Sequence, residues 1–253
     1  MAKQISLAAA TLFIACTTLT AQDGAFQQFK FGLQLSPSIS WMTTDDSQID
    51  GNGTALGLKL ATQAEFFFAE NYAIATGIGF HFNAGGTLNS NYGGRFFGRS
   101  IPEGEAFNQV TGTESGNVDI DYSIQYIEIP LALKLRTREF GYLTYYMEAP
   151  AFTLHIRSNA TGELSGGGES ANPEDINIEE EVVPLGLSWG FGGGVEYSVS
   201  ESTRLFAGLQ YQNIFTDVTR DTERRGTVYD GRTGSGDPDA AIHSITLRLG
   251  VLF

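Results

Sequence analysis

Apolar and polar residues alternate one by one along much of this chain. The clearest stretch is 243–253, H-S-I-T-L-R-L-G-V-L-F. Ile245, Leu247, Leu249, Val251 and Phe253 share one face of a strand, and Ser244, Thr246, Arg248 and Gly250 share the other. Seven further segments read in the same way. In 30–42, Phe31, Leu33, Leu35, Pro37, Ile39 and Trp41 oppose Gly32, Gln34 and three serines. In 55–68, Leu56, Leu58, Leu60, Phe66 and Phe68 oppose Lys59, Gln63 and Glu65. In 72–83, Tyr72, Ile74, Ile78, Phe80 and Phe82 oppose alanines, glycines and His81. In 126–136, Ile127, Ile129, Leu131, Leu133 and Leu135 oppose Glu128, Pro130, Lys134 and Arg136. Upstream, Ile120, Tyr122, Ile124 and Tyr126 are in the opposite phase, which predicts a bulge near Tyr126. The phase of 142–156 slips at Pro150, again as a bulge would make it. In 183–198, Leu185, Leu187, Trp189, Phe191, Val195 and Tyr197 oppose Gly186, Ser188, Gly190, Gly192, Gly194 and Glu196. The segment 203–215 is less regular.

Between the segments the connections alternate long and short. The long ones are 43–54, 84–118, 157–182 and 216–240; the short ones lie at Glu70, near Gly141 and at Glu201. That alternation predicts an all-β, eight-stranded antiparallel up-and-down transmembrane β-barrel with short periplasmic turns and long external loops. A soluble barrel would show the same period with its apolar faces lining a cavity. The small face decides between them. Runs of glycine and alanine weaken an exposed strand but make room in a crowded eight-stranded lumen. The long side chains they would accommodate are Lys59, Glu65, Glu128, Lys134, Arg136, Glu196 and Arg248, expected to form a charge network inside. Trp41, Phe68, Tyr72, Phe82, Tyr197 and Phe253, near strand ends, fit interfacial girdles.

Composition sharpens this reading. Acidic residues outnumber basic ones 29 to 15, which argues against nucleic acid as a partner. The apolar run 5–16 is too short to span a bilayer as a helix. It follows Lys3 and leads to Leu19-Thr20-Ala21, the layout of a secretory signal peptide cleaved after Ala21. Residues 1–21 are therefore expected to be removed and 22–253 to form the barrel in an outer membrane. Cys16, the single cysteine, sits in Phe13-Ile14-Ala15-Cys16. That run loosely resembles a lipoprotein box, with Phe13 where Leu is usual.

Two motifs carry a family resemblance. Tyr126-Ile127-Glu128-Ile129-Pro130-Leu131 and the Gly-rich 189–197 ending in Glu196-Tyr197 resemble the PorT-like outer-membrane β-barrel family. The resemblance implies an eight-stranded, OmpA/OmpX-type barrel in a Gram-negative outer membrane, in some relatives an accessory to a secretion machine. The closing residues Leu249, Val251 and Phe253 are similar to the terminal strand of bacterial outer-membrane barrels, where that end serves as an assembly signal. The implied partners are outer-membrane lipid, the barrel-assembly machinery and other envelope proteins.

Candidate chemistry is sparse. Outer-membrane lipid-modifying enzymes of the lipid A deacylase or acyltransferase type pair a Ser with a His. His81, His155 and His243 all fall near external strand ends, the first two pointing inward by parity and the third outward, and no His and Ser share one face of one strand. They read as rim histidines in contact with water. The acidic run 175–181 lacks the ordered spacing of a Ca²⁺ loop and reads as a solvated loop, and deletion of 162–181 is expected to leave the barrel folded. Gly192-Gly193-Gly194 matches no phosphate or dinucleotide fingerprint. The reading is a non-enzymatic docking or accessory barrel with no catalytic residue, metal or cofactor, acting through its loops or periplasmic rim.

Overall fold

The computed structural model describes residues 29–45, 49–90, 118–166, 175–220 and 240–253. The proposed signal peptide and Cys16 lie outside them. The strands are β1 (Phe29–Thr44), β2 (Ile49–Ala69), β3 (Tyr72–Thr76), β4 (Gly79–Ser90), β5 (Val118–Arg136), β6 (Leu143–Gly166), β7 (Ile176–Asn177), β8 (Leu185–Ser198), β9 (Arg204–Ile214) and β10 (Ala240–Leu252). β3 and β4 are two halves of one stave, interrupted at Gly77-Ile78, which the sequence pattern shows as continuous. Each stave pairs antiparallel with the next, and β10 pairs with β1 through Gly32↔Leu252, Leu35↔Leu249 and Trp41↔His243. The sheet is a closed ring of eight staves. Phe253 N donates to Phe31 O at 2.7 Å, so the closing seam is bonded to its end. β7 is an extra two-residue strand laid on β6.

The predicted facing holds round the ring. Leu33, Leu58, Phe80, Leu131, Phe191, Leu209, Leu247 and Leu249 all present their side chains outward. Their inward neighbours along each strand are buried or half-buried. At the end with the short turns, Phe68 stacks on Tyr72 at 6.1 Å and Tyr142 lies 6.0 Å from Tyr197. At the other end Trp41, His243, Tyr211 and Trp189 form a second aromatic cluster across β1, β10, β9 and β8.

Strands run further than the pattern predicts. Residues 49–54, 84–90 and 157–166 lie in strands rather than loops. The reason is a change of surroundings. On β5 the even-numbered positions face inward without interruption from Val118 to Lys134. Above Tyr126 the inward residues are Val118, Ile120 and Ile124, and the outward ones are Asp119, Asp121, Ser123 and Gln125. Below it the inward residues are Glu128 and Lys134, and the outward ones are aliphatic. β5 has no bulge of its own. The expected bulge belongs to β6, where Gln125 pairs with Asn159 and Tyr126 with Arg157, leaving Ser158 as the extra residue. The phase reversal in the sequence therefore marks where water replaces lipid outside the wall. The predicted bulge at Pro150 is present: Glu148 and Ala151 pair with Lys134 and Ala132, two residues against one.

The upper extension encloses its own apolar core. Met42, Leu88, Ile120, Ile124, Leu164, Ile214 and Ile242 pack inside it. The segment 175–183 folds onto this core. Ile178 N donates to Ala160 O at 3.0 Å and Val183 N to Val218 O at 2.8 Å, and Ile178 and Val182 are fully buried. The acidic run is therefore not a solvated loop. Its Glu180 is exposed and Glu179 half-buried, Glu181 is buried, and the flanking Ile178 and Val182 stopper the mouth.

The lumen as candidate functional site

Below the stopper the lumen is built in polar layers. One layer takes a side chain from each stave: Ser38 (β1), Lys59 (β2), His81 (β4), Glu128 (β5), His155 (β6), Ser188 (β8), Gln212 (β9) and Thr246 (β10). All are buried. Glu128 is its centre. Lys59 Nζ lies 2.9 Å from Glu128 Oε1, and His81 Nδ1 and His155 Nδ1 approach the same oxygen at 3.2 and 3.4 Å. The far ring nitrogens meet serines: His81 Nε2 is 3.1 Å from Ser38 Oγ, and His155 Nε2 is 2.8 Å from Ser188 Oγ. Lys59 also donates to Gln212 Oε1 at 2.6 Å, and Gln212 Nε2 to Thr153 Oγ1 at 2.9 Å.

A second layer lies toward the short turns. Lys134, wholly buried, contacts Glu65 and lies 2.7 Å from Glu196. Arg136 reaches the other Glu196 oxygen at 2.9 Å. Arg248 pairs with Glu148 and donates to Gln63 Oε1 at 3.1 Å and Gln34 Oε1 at 3.1 Å. Aromatic rings floor this layer: Lys134 Nζ is 4.4 Å from the Tyr146 ring centre, and Arg136 stands 5.0 Å over Phe67. The glycines of β8 and β9 make room. A Cβ on Gly208 would collide with the Tyr146 hydroxyl.

The seven residues expected inside thus occupy two sites. Lys59 and Glu128 meet in the upper layer. Glu65, Lys134, Arg136 and Glu196 meet in the lower, and Arg248 joins it through Glu148 and Gln63. Glu148 was missed because the Pro150 bulge hides its phase. The count of charges carried the signal: four cations against three carboxylates calls for another acid. The histidines correct the sequence reading in two ways. His81 and His155 are not rim groups exchanging with water; they are buried in the lumen. Their serine partners sit on neighbouring strands, which a search along single strands does not find. His243 faces outward as expected. Its ring stacks on Trp41 at 5.5 Å, and its nitrogens meet Tyr211 Oη at 2.8 Å and Thr43 Oγ1 at 2.9 Å. Leu249 and Phe253 are exposed on the outer face and Val251 is half-buried there. Among the described residues no cluster of His, Cys, Asp and Glu has metal-site geometry, and Lys59 already occupies the place of a cation on Glu128.

Ser188, His155 and Glu128 stand in the order of a nucleophile, a base and an orienting acid, but His155 Nδ1, 3.4 Å from Glu128 Oε1, makes no hydrogen bond to it. Ser188 is 1% exposed. The apolar core lies above it and the Lys134 layer below. Only His81 bridges the layer by hydrogen bonds at both ring nitrogens, Nδ1 with Glu128 Oε1 and Nε2 with Ser38 Oγ; His155 is bonded through Nε2 to Ser188 alone.

The chain is similar to several solved structures. Neisserial surface protein A is 14% identical, covering 88% of this chain and 95% of that one, with a TM-score of 0.39. Ail, the attachment invasion locus protein of Yersinia pestis, is 11% identical over 90% of this chain and 100% of that one, TM-score 0.34. The outer membrane protein OprG from Pseudomonas aeruginosa is 11% identical over 90% and 96%, TM-score 0.34. No curated protein matches the chain. The family model described as outer membrane protein beta-barrel domain matches residues 20–220. With its closed ring, apolar belt and polar lumen, this chain belongs to that outer-membrane β-barrel family and is an outer-membrane protein.

Proposed function

We propose that this barrel is a non-enzymatic docking or accessory component of the outer membrane, acting through the surfaces it presents outside the bilayer. The observation that carries this is the closed lumen. A buried apolar core fills the outer mouth, and a paired charge network fills the region beneath. Eight strands leave an interior just wide enough for side chains. Transport through the axis and catalysis within it are both disfavoured, which leaves the rims and the raised outer sheet. The likeness of Tyr126–Leu131 and of 189–197 to PorT-like barrels supports a link to a secretion or assembly machine. Barrel-assembly machinery and other envelope proteins are the partners this reading names. Isolation of the detergent-solubilised barrel from its native membrane, with mass spectrometry of what accompanies it, tests the proposal. Defined envelope proteins in fixed proportion support it; the barrel alone, after mild crosslinking, counts against it.

A second reading is a lipid-modifying enzyme, favoured by the Ser188–His155–Glu128 order alone. It requires the lumen to open. A deletion strain with an altered lipid A acyl pattern, restored by wild type and not by Ser188→Ala, would establish it.

A further inference from the structure

The charges in the lower half of the lumen balance except for one. Lys134 contacts Glu65 and Glu196, Arg136 and Arg204 share Glu196, Arg204 also reaches Glu139 at the rim, and Arg248 pairs with Glu148. Lys30 is left over. It is 6% exposed, and it forms no ion pair among the described residues. Its Nζ stands 5.6 Å from the centre of the Phe67 ring, the ring that Arg136 covers at 5.0 Å. An aromatic face offsets part of the cost of leaving water, but a buried cation with no anion beside it remains costly.

Two further groups at the same end are open. Arg136 Nε and Ser198 Oγ are buried with no hydrogen-bond partner. The ladders bring these residues to one level of the lumen, at the mouth with the short turns. Ser198 stands opposite Arg204 between β8 and β9, Arg204 opposite Leu252 between β9 and β10, and Leu252 opposite Gly32 between β10 and β1, two residues from Lys30. Arg136 joins them from β5 through Glu196, which it shares with Arg204. The Arg204 side chain is 18% exposed, so the cluster reaches water at this mouth. The carboxylates that act on Lys30, Glu65 and Glu196, are already held by Lys134.

We propose that this mouth is an oxyanion site for a phosphate group, held by Lys30, Arg136, Arg204 and Ser198. Ammonium, guanidinium and hydroxyl donors come from β1, β5, β9 and β8. Donors from several sides suit a tetrahedral anion better than a flat carboxylate. The phosphate supplies the charge that Lys30 lacks and accepts from Arg136 Nε and Ser198 Oγ. A free phosphate and a phospholipid headgroup of the adjoining leaflet carry the same chemistry. The inference stands apart from the docking reading, since it concerns an anion and not a protein partner.

Amide NMR of the barrel refolded in a maltoside detergent, which carries no phosphate, tests it. One arm adds sodium phosphate at constant ionic strength, with sodium chloride making the balance. The other adds dihexanoylphosphatidylglycerol below its micelle concentration. Saturable shifts of the Lys30, Phe67, Arg136 and Ser198 amides, with Thr87 and Asp121 in the outer extension unmoved, are expected. Saturation by inorganic phosphate assigns the site to free phosphate or a soluble monoester; saturation by the lipid alone assigns it to a headgroup; saturation by neither overturns the site. Lys30→Met removes a charge that has no ion pair, so the barrel should fold, and binding should weaken about tenfold or more through the loss of one charge-assisted hydrogen bond. Arg138→Gln, on the exposed rim, should leave binding unchanged. Equal weakening in the two variants would show diffuse attraction to a basic rim and overturn the site. If Lys30→Met does not fold, Ser198→Ala takes its place in the same comparison.

Discussion

Lys134 Nζ lies 2.7 Å from Glu196 Oε1, and neither side chain has any exposed surface. Such a pair is held by its surroundings as much as by its attraction, because each charge has left water. Glu65 contacts the same ammonium and Arg136 the same glutamate, so removing Lys134 leaves Glu65 buried without a cation and Glu196 with Arg136 and Arg204 alone. Lys134→Met is expected to cost about 3–5 kcal/mol, read by urea unfolding in lipid vesicles. A triple variant that also carries Glu65→Gln and Glu196→Gln should recover part of that loss. A single variant as stable as wild type would show that the network carries no stability.

The outer belt predicts the opposite sensitivity. Leu247 faces lipid beside Leu209, and Leu247→Arg should cost about 2–4 kcal/mol if it lies near the midplane. Reduced heat-modifiable monomer in isolated outer membranes is the expected outcome. Normal assembly of this variant would mean the face meets something other than hydrocarbon.

Pure protein in planar bilayers should show no steady ohmic conductance at neutral pH. The apolar core over the Glu128 layer leaves no continuous water column. Reproducible single-channel steps would move the role from docking to transport.

Ile178 belongs to the stopper, and Ile178→Ala should cost about 2–5 kcal/mol through the cavity it leaves. Deleting 162–181 should therefore damage the fold, since Leu164, Ile178 and Glu181 are buried. Thermal melts of both variants, followed by gel migration, check this. A fully folded deletion would restore the solvated-loop view that the pattern of charges invites.

Ser188 should resist fluorophosphonate labelling in intact outer membranes. Stoichiometric labelling that Ser188→Ala removes would show that the lumen opens to reagents and would favour the enzymatic reading.

Much of this architecture was legible in the residues because a barrel wall separates two solvents at every second position. Leu33, Leu58, Phe80 and Leu247 alternate with polar or small residues, and their faces follow. Reading failed where an assumption about the outer solvent failed. Ile120 and Ile124 were out of phase with Ile127 because lipid gives way to water between them, not because the strand shifts. The same assumption turned Ile178 and Val182 into members of a loop. The Ser188–His155 contact was illegible for a different reason: it joins β6 to β8, and the spacing of two residues along the chain says nothing of register across strands. Glu148 needed the Pro150 bulge to be placed before its parity could be read.

The uninterrupted parity of β5 has a bearing on how the molecule must be built. Asp119 and Asp121 stand on the outer face of the extension, where Asn52 and Asn89 hold Asp119 and Thr87 holds Asp121. Such a face has no resting place in hydrocarbon, while the isoleucines behind it have none in water until they meet Met42, Leu164 and Ile242. The outer ends of β5 and β6 therefore have to cross the bilayer as loose chain and condense afterwards. Insertion and completion are two separate events for this protein, and the second happens on the far side of the membrane from where its synthesis left it.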